Sequence, residues 1–452
     1  MIFLFDDHIQ IRNRIPKMLT NECDYGILIL GDNMKYISRT IEDKLISMID
    51  NYQVIMITGP RQVGKSTLLS YISRKYNKKI NRVTLDDLIL RQQAQEDPEL
   101  FLRTHETPLI IDEFQRAPEL LSYIKMIVDN DNEKITFGEK EKIETLYFLT
   151  GSQIFETMEG ISESLAGRVG ILDLYGLSER EIERKNSTLF IPNINDIKKR
   201  ERTEYKSTMD LYKKIYKGSY PELYTVDKDI EQYYSDYFRT FIEKDIRKLI
   251  NIKDENKFIK FVSSLAARTG QEFIATSVAS EIGIDDKTAS SWLSILKNTG
   301  IIYLLQPYMN NSVGRAIKRE KIYFTDTGLA CYLTGYIDYV TLEKSAYSGA
   351  IFETYVVDEI IKSFANSGKD IRKHLYYYRD NNQKELDLLI NYNNIIYPIE
   401  IKKSANPGKD AIKNFDVVDN FEAEKGSGIV LCMSKEIIAF DDNNYMVPIE
   451  YI

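Results

Sequence analysis

Cysteine and histidine are scarce in this chain. Its three cysteines, Cys23, Cys331 and Cys432, lie far apart with no paired spacing. That excludes a cysteine-based zinc site and suits a reducing compartment. Three isolated histidines, His8, His105 and His374, argue equally against a histidine-centred metal site or triad. No run approaches the roughly 18 uninterrupted apolar residues of a bilayer span, so no membrane partner is expected. The opening MIFLFDDHIQIRNR places acids after a short apolar run, the wrong charge order for a secretory signal, and the expected location is cytoplasmic. Excess positive charge is missing too. The net charge is −8, so any contact with DNA must come from a local basic surface.

What is present is the composition of a globular protein, 43% hydrophobic and 28% charged over 452 residues, enough for about two to four domains. TIEDKLISMID has the period of a short amphipathic helix. QVIMITG, Ile80–Leu85, Leu109–Glu113, Leu146–Ser152 and Val169–Gly176 have the length and branched apolar content of buried strands. Helical stretches separate them, at Ser66–Tyr76, Leu88–Thr104, Pro118–Asp129 and Glu156–Ala166. Five such strands alternating with helices predict an α/β fold, a parallel sheet with helices on both faces. A charged stretch, Arg184–Met209, follows, readable as a basic contact surface or as a solvated connecting helix. Leu211 to Arg268 is mostly helical. Thr276–Glu281, a turn at Gly283, Lys287–Asn298 and the strand pair Ile301–Tyr308 and Lys321–Phe324 predict a helix-turn-helix with a hairpin, a winged helix. The tail opens with a helix, Ala350–Ser363, and continues in strands at Leu375–Tyr378, Glu385–Asn391 and Ile395–Lys402.

Gly59-Pro60-Arg61-Gln62-Val63-Gly64-Lys65-Ser66 fits GxxxxGK[ST] and lies between a strand and a helix, the context that gives the match its meaning. Glycines let the backbone wrap until its N–H groups face phosphates, and the helix N-terminus, through Thr67, adds partial positive charge. Lys65 can reach the β- and γ-phosphates of ATP, and the Ser66 hydroxyl can ligate Mg²⁺. LIIDE places Asp112 beside the loop to hold the magnesium's water shell, with Glu113 adjacent to polarise the attacking water. The strand between the two motifs points to the additional-strand class of ATPases. The absence of NKxD favours adenine over guanine. Thr150 and Ser152 end a strand where a polar group can sense the γ-phosphate. Arg168 suits either an arginine finger toward a neighbouring copy in a homo-oligomer or a structural ion pair.

GPRQVGKST, LIIDEFQRAPELL, LTGSQ, SLAGRVGILDLYGLSERE, KGSYPE, YFTDTGLACYL and GAIFE…ELDLLI…IEIKKS follow one another in order. Together they resemble the AAA-type (AAA+, P-loop) ATPase family of bacteria and archaea with a fused C-terminal domain long labelled as of unknown function. The resemblance runs from about Met34 to the C-terminus, and KGSYPE departs slightly from the double-glycine turn usual there. It implies an AAA+ core, a winged-helix domain and a C-terminal restriction-endonuclease-like domain. The expected organisation is an N-terminal extension (1–34), the ATPase core (35–182), a linker and helical region (183–270), the winged helix (271–335) and the nuclease-like α/β domain (345–452).

In the tail, Glu400 and Lys402 stand two apart on one strand and share a face. Asp387 and Glu400 can hold a divalent metal while Lys402 steadies a nucleophilic water, the chemistry of metal-assisted phosphodiester hydrolysis. Glu353 on the preceding helix can add a ligand. This order resembles the PD-(D/E)XK nuclease superfamily. The leading expectation is an ATPase using ATP and Mg²⁺ to drive a nuclease-like module on DNA. The alternative is an ATP-dependent regulatory switch whose C-terminal domain binds a partner without cleavage.

Overall fold

A computed structural model describes residues 36–75, 80–151, 165–205, 207–242, 246, 255–309 and 319–452. The expected N-terminal extension, Ser152, and the helix Glu156–Ala166 except its last two residues lie outside these.

The five apolar runs form β1 (Val54–Thr58), β2 (Asn81–Thr84), β3 (Leu109–Asp112), β4 (Tyr147–Thr150) and β5 (Val169–Asp173), all parallel in the order β2-β3-β4-β1-β5. Every residue of β1 is buried, because the sheet is covered on both faces. Ile55 and Ile57 enter one core, Val54 and Met56 the other. Helices α1 (Glu42–Met48), α2 (Lys65–Lys75), α3 (Leu88–Glu96), α4 (Pro98–Thr104) and α5 (Leu120–Thr136) flank it. The single helix expected over Leu88–Thr104 is two. Pro98 has no N–H to continue the first, and the Asp97 carboxylate caps the second by accepting from Leu100 N. Helix α5 runs seven residues past the expected end.

The charged stretch from Arg184 is not a continuous solvated helix. Its regular part before Thr208 is one short turn, Ile194–Ile197; Arg184, Lys198 and Lys199 are exposed, while Arg200 and Arg202 turn inward toward Glu450 and Tyr451. Arg200 Nε donates to Tyr451 O at 2.6 Å, Thr203 N donates to Glu450 O at 2.8 Å, and Arg202 pairs with Glu450.

Beyond it, helices Thr208–Lys217, Ile230–Phe241 and Glu255–Ala267 lead to the expected pair, Ala275–Ile282 and Asp286–Asn298. Gly283 ends the first in the left-handed region and Asp285 caps the second. Strands β6 (Ile302–Leu305) and β7 (Lys321–Phe324) then pair antiparallel. The long helix Ser348–Asn366 is buried along almost its whole length. It backs a mixed sheet of β8 (Leu375–Arg379), β9 (Glu385–Tyr392), β10 (Ile395–Lys402), β11 (Glu424–Lys425), β12 (Gly428–Cys432), β13 (Ile438–Ala439) and β14 (Asn444–Pro448). The order is β13-β14-β12-β10-β9-β8, with β11 beside β10.

This tail interlocks with the five-stranded sheet's connections. Lys362, buried on the long helix, pairs with Asp358 at 2.7 Å and Glu359 at 3.0 Å and donates to Leu177 O at 3.1 Å. Glu359 accepts from Glu179 N at 2.8 Å, and Arg180 donates to Ile452 O at 2.6 Å.

Candidate functional site

The register of the parallel sheet brings the ends of all five strands to one edge: Thr84 lies beside Asp112, Asp112 beside Thr150, and Thr58 beside Asp173. The loop Gly59–Gly64 leaves β1 at that edge and enters α2. Gly59 has φ +136°, and a Cβ there would collide with Leu174 O of the neighbouring segment, so the loop starts only with glycine. Lys65 is buried and folds back over the loop, donating to Gly59 O at 2.8 Å and Pro60 O at 2.7 Å. The first turn of α2 presents the N–H groups of Lys65, Ser66 and Thr67, which have no carbonyl of their own helix to meet. Such a nest of amides with one ammonium suits a polyphosphate.

Ser66 donates to both Asp112 oxygens, at 2.8 and 2.9 Å. Thr150 donates to the same carboxylate, and Arg82 on β2 pairs with it at 2.8 Å. Burial pushes the Asp112 carboxyl up, but the Thr150, Arg82 and Ser66 contacts outweigh it and hold the group below the usual carboxylate range. A hydroxyl and an ionised carboxylate in contact fit a hard divalent cation such as Mg²⁺. Glu113 follows with φ +57° in the left-handed region, a conformation a glutamate adopts only when its surroundings hold it. Gln115 Nε2 donates to its carboxylate.

Around the loop stand residues that the motif does not contain. Arg39 is buried and donates to Val63 O at 2.9 Å, Tyr175 O at 2.8 Å and Gly176 O at 3.1 Å, and it pairs with Glu181 at 3.2 Å. Tyr233 donates to Gln62 Oε1 at 2.8 Å. Gly300, with φ +74°, lies so close to the loop that a Cβ there would stand 2.9 Å from Pro60 Cγ. Sequence reasoning missed these because they come from elements that carry no motif. Arg168 pairs with Asp129 of α5. It precedes the start of β5, which lies beside Val54 at the far end of β1 from the loop.

At the tail, the four expected residues share one charged pocket. Lys402 pairs with Glu400 at 2.5 Å and lies 3.8 Å from Asp387, whose Oδ2 accepts from Ile401 N at 2.8 Å. Glu353 accepts from Tyr323 Oη at 2.7 Å, and Lys321 reaches Glu353 at 3.9 Å and Glu385 at 2.6 Å. Burial, then the Asp387 charge, pushes both Glu353 and Glu400 up to about 7. Burial opposes the Lys321 charge, but Glu353, Asp387 and Glu385 hold that ammonium above its ordinary range. Lys321 and Tyr323 were not expected here; both belong to an ordinary-looking apolar strand. Among the described residues no three acids, cysteines or histidines converge as a metal site. As arranged, Glu353, Asp387 and Glu400 do not fit a shared divalent ion. No described helix is long and apolar enough to cross a membrane.

A parallel sheet ordered β2-β3-β4-β1-β5, with the phosphate loop after β1 and the Asp112–Glu113 pair at the end of β3, is that of a P-loop AAA fold. A family model described as an AAA domain matches residues 51–183. Two others, both described as domains of unknown function (DUF8612 and DUF4143), match 208–339 and 348–452. The chain is 28% identical over 358 residues to the uncharacterized proteins Rv2008c of Mycobacterium tuberculosis and Mb2031c of Mycobacterium bovis, covering 78% of this chain and 71% of each. Among solved structures, the Walker-type ATPase PABY2304 of Pyrococcus abyssi is 13% identical with a TM-score of 0.40, covering 65% of this chain and 94% of that one. The RuvB Holliday junction branch migration motor of Thermotoga maritima is 16% identical with a TM-score of 0.29, covering 59% and 89%.

Proposed function

We propose that this chain binds ATP with Mg²⁺ at Gly59–Thr67, hydrolyses it, and couples the cycle to a C-terminal nuclease-like module acting on DNA. The observation that carries the ATPase reading is the meeting of Lys65, Ser66, Asp112 and Thr150 at one sheet edge. Ser66 and Asp112 would hold Mg²⁺, which would supply neutralisation of the phosphate charge. Lys65 exchanges its two loop carbonyls for phosphate oxygens. Glu113 orients and deprotonates the attacking water, and Thr150, with Ser152 beyond it, responds to loss of the γ-phosphate through Asp112. Arg168 is too far along the sheet to serve its own loop, so a finger role requires a neighbouring copy. Mixing Arg168→Ala with Lys65→Ala subunits should then restore turnover that neither variant has alone.

In the nuclease reading, Asp387, Glu400 and Lys402 form a PD-(D/E)XK-like pocket with Glu353 beside it. The helix pair with its β6–β7 hairpin is a winged helix. Its second helix exposes Lys287, Lys297, Ser290, Ser291 and Ser294, a face able to meet phosphates but preceded by Asp285 and Asp286. One observation favours the second reading, a regulatory switch that binds a partner without cleavage: each tail carboxylate is already matched by a lysine or a hydrogen-bond donor. The deciding assay incubates the purified chain with Mg²⁺ or Mn²⁺, with and without ATP, against single-stranded, duplex and branched DNA. DNA-stimulated ATP turnover and cleavage lost in Asp387→Ala and Lys402→Ala support the nuclease. Turnover indifferent to every nucleic acid, with no cleavage, supports the switch.

A further inference from the structure

The β6–β7 hairpin touches both candidate sites. At one end Gly300 lies against Pro60 of the phosphate loop, and Thr325, just past β7, hydrogen-bonds Gly300 O at 2.5 Å. At the other end Lys321, paired in register with Leu305, enters the charged pocket of the tail. From Phe324 to Lys321 the strand spans only about 10 Å. Lys321 is 3% exposed, and its ammonium is shared between Glu385 and Glu353 while Tyr323, two residues on and on the same face, donates to Glu353. A buried ammonium among carboxylates supplies the positive charge that a divalent ion would otherwise bring. It also accounts for the three acids Glu353, Asp387 and Glu400 sharing a pocket without converging as a metal site.

We infer that Lys321 is a positioning residue of the tail pocket: it acts as a tethered cation that engages Glu353 and Glu385 beside Asp387 and Glu400, keeping a divalent ion out, and the hairpin carrying it responds to occupancy of the phosphate loop. This rests on reading the pocket as a metal-dependent site. When Lys321 withdraws, Glu353 is left with one donor, Tyr323, and becomes available beside two further acids.

The test is Mn²⁺ binding to the full chain without nucleotide, followed by electron paramagnetic resonance, in the natural protein, Lys321→Met, Asp387→Asn and the double variant Lys321→Met/Glu385→Gln. The double variant removes the ion pair together and guards against misfolding from an unpaired buried carboxylate; a melting curve confirms folding. The expected result is Mn²⁺ affinity at least about tenfold tighter in Lys321→Met or the double variant, because a like charge is gone from the pocket. That gain should vanish when Asp387→Asn is added. If Asp387→Asn abolishes Mn²⁺ binding but removal of Lys321 leaves it unchanged, the pocket is a metal site and Lys321 has no part in it. If no folded variant binds Mn²⁺, the metal-site reading falls and this inference with it. Amide exchange gives a second readout. A non-hydrolysable ATP analogue should change exchange across Lys321–Phe324 in the natural protein and leave it unchanged in Lys65→Ala; identical exchange with and without the analogue in the natural protein overturns the link to the loop.

Discussion

Arg39→Ala removes a single side chain that ties the phosphate loop to the rest of the domain. Its guanidinium serves three carbonyls, Val63, Tyr175 and Gly176, and faces Glu181. After the substitution, Glu181 keeps the N–H groups of Thr40 at 2.7 Å and Ser178 at 2.9 Å but loses its cation while 1% exposed. Breaking a buried pair in this way costs about 3–5 kcal/mol. With a urea slope of about 3 kcal/mol/M, the midpoint of the domain's unfolding should fall by roughly 1–1.7 M. Arg39→Lys should recover part of this, since an ammonium can meet Glu181 but cannot span all three carbonyls. The loop itself should suffer separately. With Val63 O untethered, its amides must be ordered at each binding event, and fluorescent ADP should bind about tenfold more weakly, the equivalent of about one charge-assisted hydrogen bond. Urea titration and nucleotide titration of the three proteins read both effects. A midpoint unchanged to within about 0.2 M, together with natural ADP affinity, would refute the view that Arg39 braces the loop.

Three further outcomes follow from particular contacts. Glu113→Gln should bind ATP normally while turnover falls by about 10²–10⁴, the contribution of a general base, and normal phosphate release would remove Glu113 from that role. Burial pushes the Asp358 carboxyl up to about 7 against the pull of Lys362, from an ordinary 3.8. The folded chain therefore holds a proton that the unfolded chain releases between those values, and stability should fall as pH rises through that window, by up to about 1.4 kcal/mol per unit. Urea midpoints of Asp358→Asn should show a flatter dependence between pH 4 and 7; an unchanged slope contradicts the assignment. Arg168→Ala removes a partly exposed pair with Asp129, so it should cost less than about 1 kcal/mol of stability. A large loss of turnover at unchanged melting would then point to action on a neighbouring copy.

The five strands of the parallel sheet and the phosphate loop were legible because their signals are local: branched apolar runs of strand length, and a motif whose residues are contiguous. The tail residues Asp387, Glu400 and Lys402 were legible for the same reason, lying on two adjacent strands with period-two spacing. What the sequence hid depends on distant segments meeting. Arg39, Tyr233 and Gly300 reach the loop from three separate places, and no periodicity announces a guanidinium that will cap carbonyls 24 and 136 residues away. Lys321 begins a strand of apolar pattern, where a lysine ordinarily reads as an exposed end; buried, it is met by three acids of the tail, Glu353, Asp387 and Glu385. The inward-facing Arg200 and Arg202 misled for a related reason. A run of charge normally faces water, but here backbone carbonyls and Glu450 at the chain's end supply its partners.

The grip of the Gly59–Thr67 loop on a triphosphate underlies every step proposed for this chain. Calorimetric titration of the natural chain and of Lys65→Ala with Mg²⁺ and a non-hydrolysable ATP analogue tests it directly. The natural chain should bind one analogue, and Lys65→Ala should bind at least about a hundredfold more weakly, because two charge-assisted bonds to phosphate are lost. Equal affinity in the two proteins, or none in the natural chain, would contradict it.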